Sequence, residues 1–509
     1  MEVGWQSRGR VQCVARLGSP SIRCSEWFTF LCSRFHRLCN APSFGRHPIS
    51  FSESTTPEGT GKSMNTTNQM LQKLFGNQTM QALGNFANAR GVQLYLVGGS
   101  VRDLLLKRQT TDIDFALASD AIQFAKAFAT SINATCIALE ENPSTARVIV
   151  KPHDASETPC LSMDFVQFRA ASLTEDLRLR DLTINAMAIA FENVEAVINS
   201  ACEPNSFHVI DPCGGMKDLE TGLLRFPSEQ VVRADPVRLL RIYRFAAQLD
   251  FKISEKAIDF VTKHRSLLSN VASERCRDEL MKILNVKKAH PYLQQMETVG
   301  LLTQALPFIQ AMCILWRSLE TFEKSPIPIG FQAYRNEIND YLREELGTEI
   351  NRRSLIKFSL LLGDNLSSVG THLRLSRKAT QFMKRLLDGS TALKNENGQL
   401  TQKQIIRFLR TYASEWWGVL LYTAASHPID PTLLEQIANT YYEHILPISK
   451  QGRLITGDDL IKNFNLKEGE QIGRLLKAIE ERQFDGEIRT RQEAFDTVAA
   501  LIQQSHGFL

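Results

Sequence analysis

The segment Leu96-Val97-Gly98-Gly99-Ser100-Val101-Arg102-Asp103, followed shortly by Thr111-Asp112-Ile113-Asp114-Phe115-Ala116, limits what this chain can fold into more than any other feature of its sequence. Val92–Val97 reads as a strand, the two glycines as a turn and Ser100–Lys107 as a short helix. Such a turn exposes backbone N–H groups with no Cβ in the way, which makes a phosphate cradle of the helix-N-terminus kind. Arg102, one turn inside the helix, can fork onto phosphate oxygens. Asp112–Leu117 reads as a second strand, and because residues i and i+2 of a strand share a face, Asp112 and Asp114 present two carboxylates side by side. Hard oxygen ligands at that spacing suit a pair of Mg²⁺ ions, about 3.5–4 Å apart in phosphoryl-transfer sites. One ion would acidify an attacking hydroxyl while the other stabilises a leaving pyrophosphate. Asp164, in Ser162-Met163-Asp164-Phe165-Val166, is a candidate third carboxylate from a later strand. There is no GxGxxG and no GKS or GKT, so Rossmann and Walker readings fail.

Around this unit the pattern is coarse but consistent. Residues 68–90 read as an amphipathic helix, Ala121–Ile132 as another, and Cys136–Leu139, Ala146–Lys151 and Ser162–Phe168 as further strands. Beyond about residue 216, strand signals nearly vanish and helical periodicity continues to the C-terminus. The expected class is α+β, with a small mixed α/β head on a long all-helical remainder. At 509 residues the chain is too long for one ordinary core. No apolar run approaches the roughly 20 residues a membrane span needs, so no membrane partner is expected.

The net charge of +4 is unevenly spread. Residues 1–52 carry seven Arg, no Lys and two Glu, and the remainder is close to neutral. An Arg- and Ser-rich, acid-poor front end reads as an organellar transit peptide, for mitochondrion or chloroplast, with the cytoplasm as a further compartment. Four of the ten Cys lie in it, and the other six are scattered without CxxC or zinc spacing, so reduced thiols are expected.

Residues 97–116 as a whole resemble the nucleotide-binding and metal motif of class II nucleotidyltransferases of the DNA polymerase beta superfamily, the bacterial-type tRNA CCA-adding enzymes and poly(A) polymerases. Further blocks agree in order: Arg180-Asp181-Leu182-Thr183-Ile184-Asn185-Ala186-Met187, Asp211-Pro212-Cys213-Gly214-Gly215, residues 235–247 and Ser273–Leu284. The likeness is strong over about residues 90–290. It implies a polymerase beta-like head (63–205) after a transit segment and linker (1–62), then a helical neck that selects the nucleotide (206–290), a body (291–400) and a tRNA-contacting tail (401–509). It also implies Mg²⁺ as cofactor and tRNA, CTP and ATP as partners, with Arg180 against the nucleotide.

The neck helix resembles the family's nucleotide-selecting one, and its chemistry can be reasoned through. Asp235, Arg238, Arg241 and Phe245 fall close to one helical stripe. Asp accepts hydrogen bonds and Arg donates them. Cytosine and adenine both offer an exocyclic amino group beside a ring-nitrogen acceptor, whereas uracil and guanine offer the inverse. An Asp235/Arg238 pair therefore admits C and A and leaves buried groups unpaired against U and G. By resemblance, Arg241 and Arg244 hold ring or triphosphate. One departure stands out: the family's usual Glu before this Asp is Ala234 here.

Arg352–Asp364 and Leu373–Leu387 resemble helices of an HD-type phosphohydrolase domain, but the His-Asp position reads Gly363-Asp364, so no metal hydrolysis is expected. Trp416-Trp417 is expected in the core. The resemblance implies template-independent CCA addition to tRNA 3′ ends by two-metal nucleotidyl transfer. The alternatives are A-adding, CC-adding or poly(A) activity, and an inactive RNA-binding relative, with the segment Lys151–Leu161 as the place where the activities could differ.

Overall fold

The computed structural model describes residues 78–108, 112–151, 161–192, 194, 208–307, 312–363, 372–395 and 400–506. The described residues all belong to one unit. The expected transit segment, most of Lys151–Leu161 and Asp364 lie outside the described residues.

Helix α1 (Gln78–Ala89) buries Met80, Leu83 and Ala87 at helical spacing. It leads to β1 (Tyr95–Val97), which ends at Gly98 because φ there is +67°, a conformation that suits only glycine at this ψ. Helix α2 (Gly99–Leu105) and β2 (Asp112–Leu117) follow. Helix α3 (Ala121–Ser131) starts at Asp120, whose Oδ1 accepts from the N–H groups of Ile122 and Gln123. The hairpin β3 (Thr135–Glu141) and β4 (Ser144–Val150) and then β5 (Leu161–Gln167) complete the strands read from the pattern. After α4 (Leu173–Arg178) come β6 (Ala188–Ala190) and β7 (Val209–Ile210). The sheet order is β3-β4-β5-β2-β1-β6-β7, with β2 and β5 parallel and every other pair antiparallel. Because β7 pairs with β6, the sheet extends past residue 205, where the head was expected to end.

The sheet's two faces differ. Phe115 and Phe165 stack at 5.4 Å and meet Phe124, Phe128 and Phe191 beneath α1 and α3. Ile113 and Phe115 are buried on that face, so the intervening Asp112 and Asp114 emerge on the other.

Helices dominate the remainder: α5 (Gly215–Thr221), α6 (Glu229–Ala234), α7 (Arg238–Leu249), α8 (Glu255–His264), α9 (Ser273–Asn285) and many more follow. Two two-stranded ladders interrupt them, Leu223–Leu224 with Lys252–Ile253 and Glu345–Gly347 with Ile350–Asn351. Among the described residues one hydrophobic core runs from Met80 to Ile445, a second from Ile455 to Val498 stands apart, and a small third joins Val97, Ala116, Leu177 and Ala188. Much of the region expected as the tail from 401 therefore packs into the main core, including Trp416 and Trp417, stacked at 4.0 Å and both buried. Their burial follows from a helix, Trp416–Ser426, that is apolar on nearly every side.

Candidate active site

The glycine turn and the aspartate strand are locked together at the sheet's open face. Ser100 Oγ, in the first turn of α2, accepts from the N–H of Asp114 at 2.8 Å. A Cβ on Gly98 would lie 2.9 Å from Arg180 Nη1 and 3.6 Å from Asp114 Oδ2, and one on Gly99 would lie 3.5 Å from Arg102 Nη2 and 3.8 Å from Asp114 Oδ2. Gly98, Gly99, Arg102, Arg180 and Asp114 thus meet at one point.

Asp112 is exposed and Asp114 half-buried, on the same side of β2. Burial, with the neighbouring Asp164 and Asp112 carboxylates, pushes the Asp114 carboxyl up to about 6 against the pull of Arg180 and Arg102. An all-oxygen donor pair whose negative charge is costly to hold without a counterion fits a hard divalent cation. The described residues contain no cluster of three or more acidic, His or Cys side chains placed to hold a metal. Asp164, the third candidate, lies directly across from Asp114 on β5, but both its oxygens are held by Arg147, from Nε and Nη2 at 2.7 Å each.

A polar network underlies the turn. Arg102 forks onto Asp103 at 2.9 and 2.8 Å and donates from Nη1 to Asn185 Oδ1 at 2.8 Å. Asn185 Nδ2 donates to Asp181 Oδ1 at 3.1 Å, and Arg241 Nη2 pairs with Asp181 Oδ2 at 3.0 Å. Burial opposes ionisation of Asp181, but Arg241, Asn185, the Leu182 N–H and Arg238 outweigh it and hold the carboxyl below its usual range. Asp181 is therefore the hub between the turn and the neck. Arg180 pairs with the buried Asp176 at 3.3 Å, which also holds Arg169 at 3.1 Å.

The neck departs from the expected single stripe. Asp235 is extended and lies outside the helices, between α6 and α7. Pro236 explains the break, since the residue before proline is driven from the α region. Asp235 contacts Arg238 only loosely, at 3.9 Å. Its close partner is Arg275 of α9, from Nη2 to Oδ2 at 2.8 Å. Arg238 Nη1 donates to the carbonyls of Leu179 and Val231 at 2.9 and 3.2 Å, pinning it beneath the head. Arg244, expected on the ring or triphosphate, donates from Nε to Glu279 Oε2 of α9 at 2.6 Å and lies over the Phe245 ring at 4.0 Å. Its local sequence could not show this, because Glu279 comes from a different helix.

Ser100, Asp176, Arg147 and Arg275 are site residues that sequence reasoning missed. Ser100 sits inside the quoted turn motif, and a hydroxyl in the first turn of a helix is a usable signal. The other three act through partners on separate elements.

Comparison with known proteins follows the same division. Residues 94–225 match the poly(A) polymerase head domain, 250–313 the RNA and SrmB-binding site of polymerase A, and 351–499 tRNA nucleotidyltransferase domain 2. A CC-adding tRNA nucleotidyltransferase of Geobacter sulfurreducens is 30% identical over 445 residues, spanning 81% of this chain and 93% of its own. One from Synechocystis is 27% identical over 79% and 92%, and a CCA-adding enzyme of Streptococcus mutans 27% over 80% and 92%. In fold, the chain is similar to the Thermotoga maritima CCA-adding enzyme complexed with tRNA (TM-score 0.56, 21% identity, 88% and 97% covered). It is also similar to a CCA-adding enzyme solved with CTP (0.60, 22%, 86% and 98%). Matched along most of its length by these relatives, the chain belongs to the bacterial-type CCA-adding tRNA nucleotidyltransferase family and is a nucleotidyltransferase.

Proposed function

We propose that this chain adds CCA to tRNA 3′ ends, taking CTP and ATP in turn without a template. The observation that carries the reading is the meeting of Gly98, Gly99, Arg102, Arg180 and Asp114 at one point, joined through Asn185 and Asp181 to Arg241 on the neck. Mg²⁺ held by Asp112 and Asp114 would acidify the primer hydroxyl and stabilise pyrophosphate. The chain's own groups do the rest. The turn's N–H groups cradle the triphosphate, Arg102 and Arg180 neutralise it, Asp235 accepts from the amino group common to C and A, and Arg238 donates to the adjacent ring nitrogen. U and G would leave both unpaired. The tail is read as tRNA-contacting and residues 1–52 as an organellar address, which fusion of residues 1–62 to a reporter would test.

CC addition alone is a second reading, supported by the CC-adding relatives of Geobacter and Synechocystis. Full-length protein, tRNAs lacking the last three, two or one nucleotides, and each NTP supplied singly distinguish the readings. CMP joined to the two shorter tRNAs together with AMP joined to tRNA ending in CC supports CCA addition, whereas CMP alone means CC addition and a single AMP alone means A addition. Long A tails mean a poly(A) polymerase, and no incorporation means an RNA-binding relative.

A further inference from the structure

A row of charged side chains crosses three strands. Arg147 of β4 lies opposite Asp164 of β5, and Asp164 lies opposite Asp114 of β2. Directly opposed residues share a face, so a guanidinium and two carboxylates stand in line, with Asp112 one step along β2. Arg147 grips Asp164 fork to fork at 2.7 Å twice, the strongest geometry for such a pair. The side chains are not deeply buried, at 42% and 19% exposed, so the pair is not a core staple. A cation drawing on Asp164 would sit beside the guanidinium and be repelled by it.

We propose that Arg147 is a latch on Asp164, a positioning residue that withdraws the third carboxylate from the resting metal site. Asp112 and Asp114 are then the protein ligands, and the free protein binds a divalent cation weakly until triphosphate oxygens complete the coordination. The latch rests on the reading of Asp112 and Asp114 as metal ligands, and the test separates the two.

Binding of Mn²⁺ to the full chain, without tRNA or nucleotide, is followed by electron paramagnetic resonance of the free ion. Inner-sphere waters are counted from Tb³⁺ luminescence lifetimes in H₂O and D₂O. Arg147→Met should tighten Mn²⁺ binding about tenfold and remove about one water, as a freed carboxylate joins the ion. Arg147→Gln should move both readouts the same way and guards against misfolding of the first variant. Adding Asp164→Asn to Arg147→Met should reverse both changes. Tighter binding with an unchanged water count would reflect charge alone and overturn the latch, as would no change in either Arg147 variant. Asp114→Asn is the control for the site beneath: wild-type Mn²⁺ affinity in that variant would overturn the ligand assignment, and the latch with it.

Discussion

Arg275 holds Asp235 from across the neck, Nη2 to Oδ2 at 2.8 Å, closer than the neighbouring Arg238 at 3.9 Å. The same turn of α9 reaches the other way. Glu274 pairs with Arg374, and Arg277 Nη1 donates to the carbonyls of Leu373 and Arg374. The proposed base-reading acceptor is thus set from a helix anchored in the body, in a chain where Ala234 stands in place of the family's usual Glu.

Arg275→Met should therefore lower discrimination for CTP over UTP, measured as the ratio of kcat/KM values, by about tenfold, equivalent to about 1.4 kcal/mol. The side chain is 54% exposed, so Tm should hardly move. Asp235→Ala should relax selection further. Unchanged ratios in both variants would remove base reading from this pair.

Asp114 gives a pH dependence whose sign is fixed by burial. Its carboxyl titrates at about 6 in the fold against an ordinary 3.8, so the folded protein binds the proton more tightly than the unfolded chain. Stability of the metal-free protein then falls as pH rises from about 4 to about 6 and stays lowered above. Asp114→Asn removes that cost. Its Tm should exceed wild type at pH 7.5, the gap closing by about pH 4, while nucleotide incorporation is abolished.

Much of the head was legible because its signals are local. The β2 limits, Asp112–Leu117, follow from alternation, and the turn from two adjacent glycines. The neck was less so. A stripe drawn through Asp235 assumed a continuous helix, and Pro236 breaks it. Nothing near Arg244 in sequence announces its partner Glu279, and nothing near Asp164 announces Arg147 on the neighbouring strand. Spacing reveals which side chains share an element; it is silent on the partner a second element brings.

Gly98 leaves little room for a side chain. At φ +67° and ψ −131°, an added Cβ is both strained and 2.9 Å from Arg180 Nη1. Gly98→Ala should cost about 1–3 kcal/mol in urea unfolding and raise the KM for CTP by displacing Arg180. Gly91, with φ +62° but open space around it, is the control: Gly91→Ala should share the strain and spare the KM.

Lys357 lies in the segment that resembles an HD-type helix, yet its place is structural. Its ammonium, nearly fully buried, donates to Glu323 Oε1 at 2.7 Å and to the carbonyls of Val286 and Lys287 at 2.6 and 3.3 Å, just past the C-terminus of α9. Glu323 in turn accepts from the N–H groups of Ala289 and His290 at 2.7 and 3.1 Å, at the start of the helix His290–Thr298. Each charge thus meets the helix end of opposite sign. Lys357→Met should cost about 3–5 kcal/mol in urea unfolding, because Glu323 is left charged and buried. Replacing a buried pair with apolar residues is often neutral, but here it would also orphan four backbone groups. The double variant Glu323→Leu/Lys357→Met should therefore stay well below wild-type stability, and full recovery would mean that the helix ends do not need these charges.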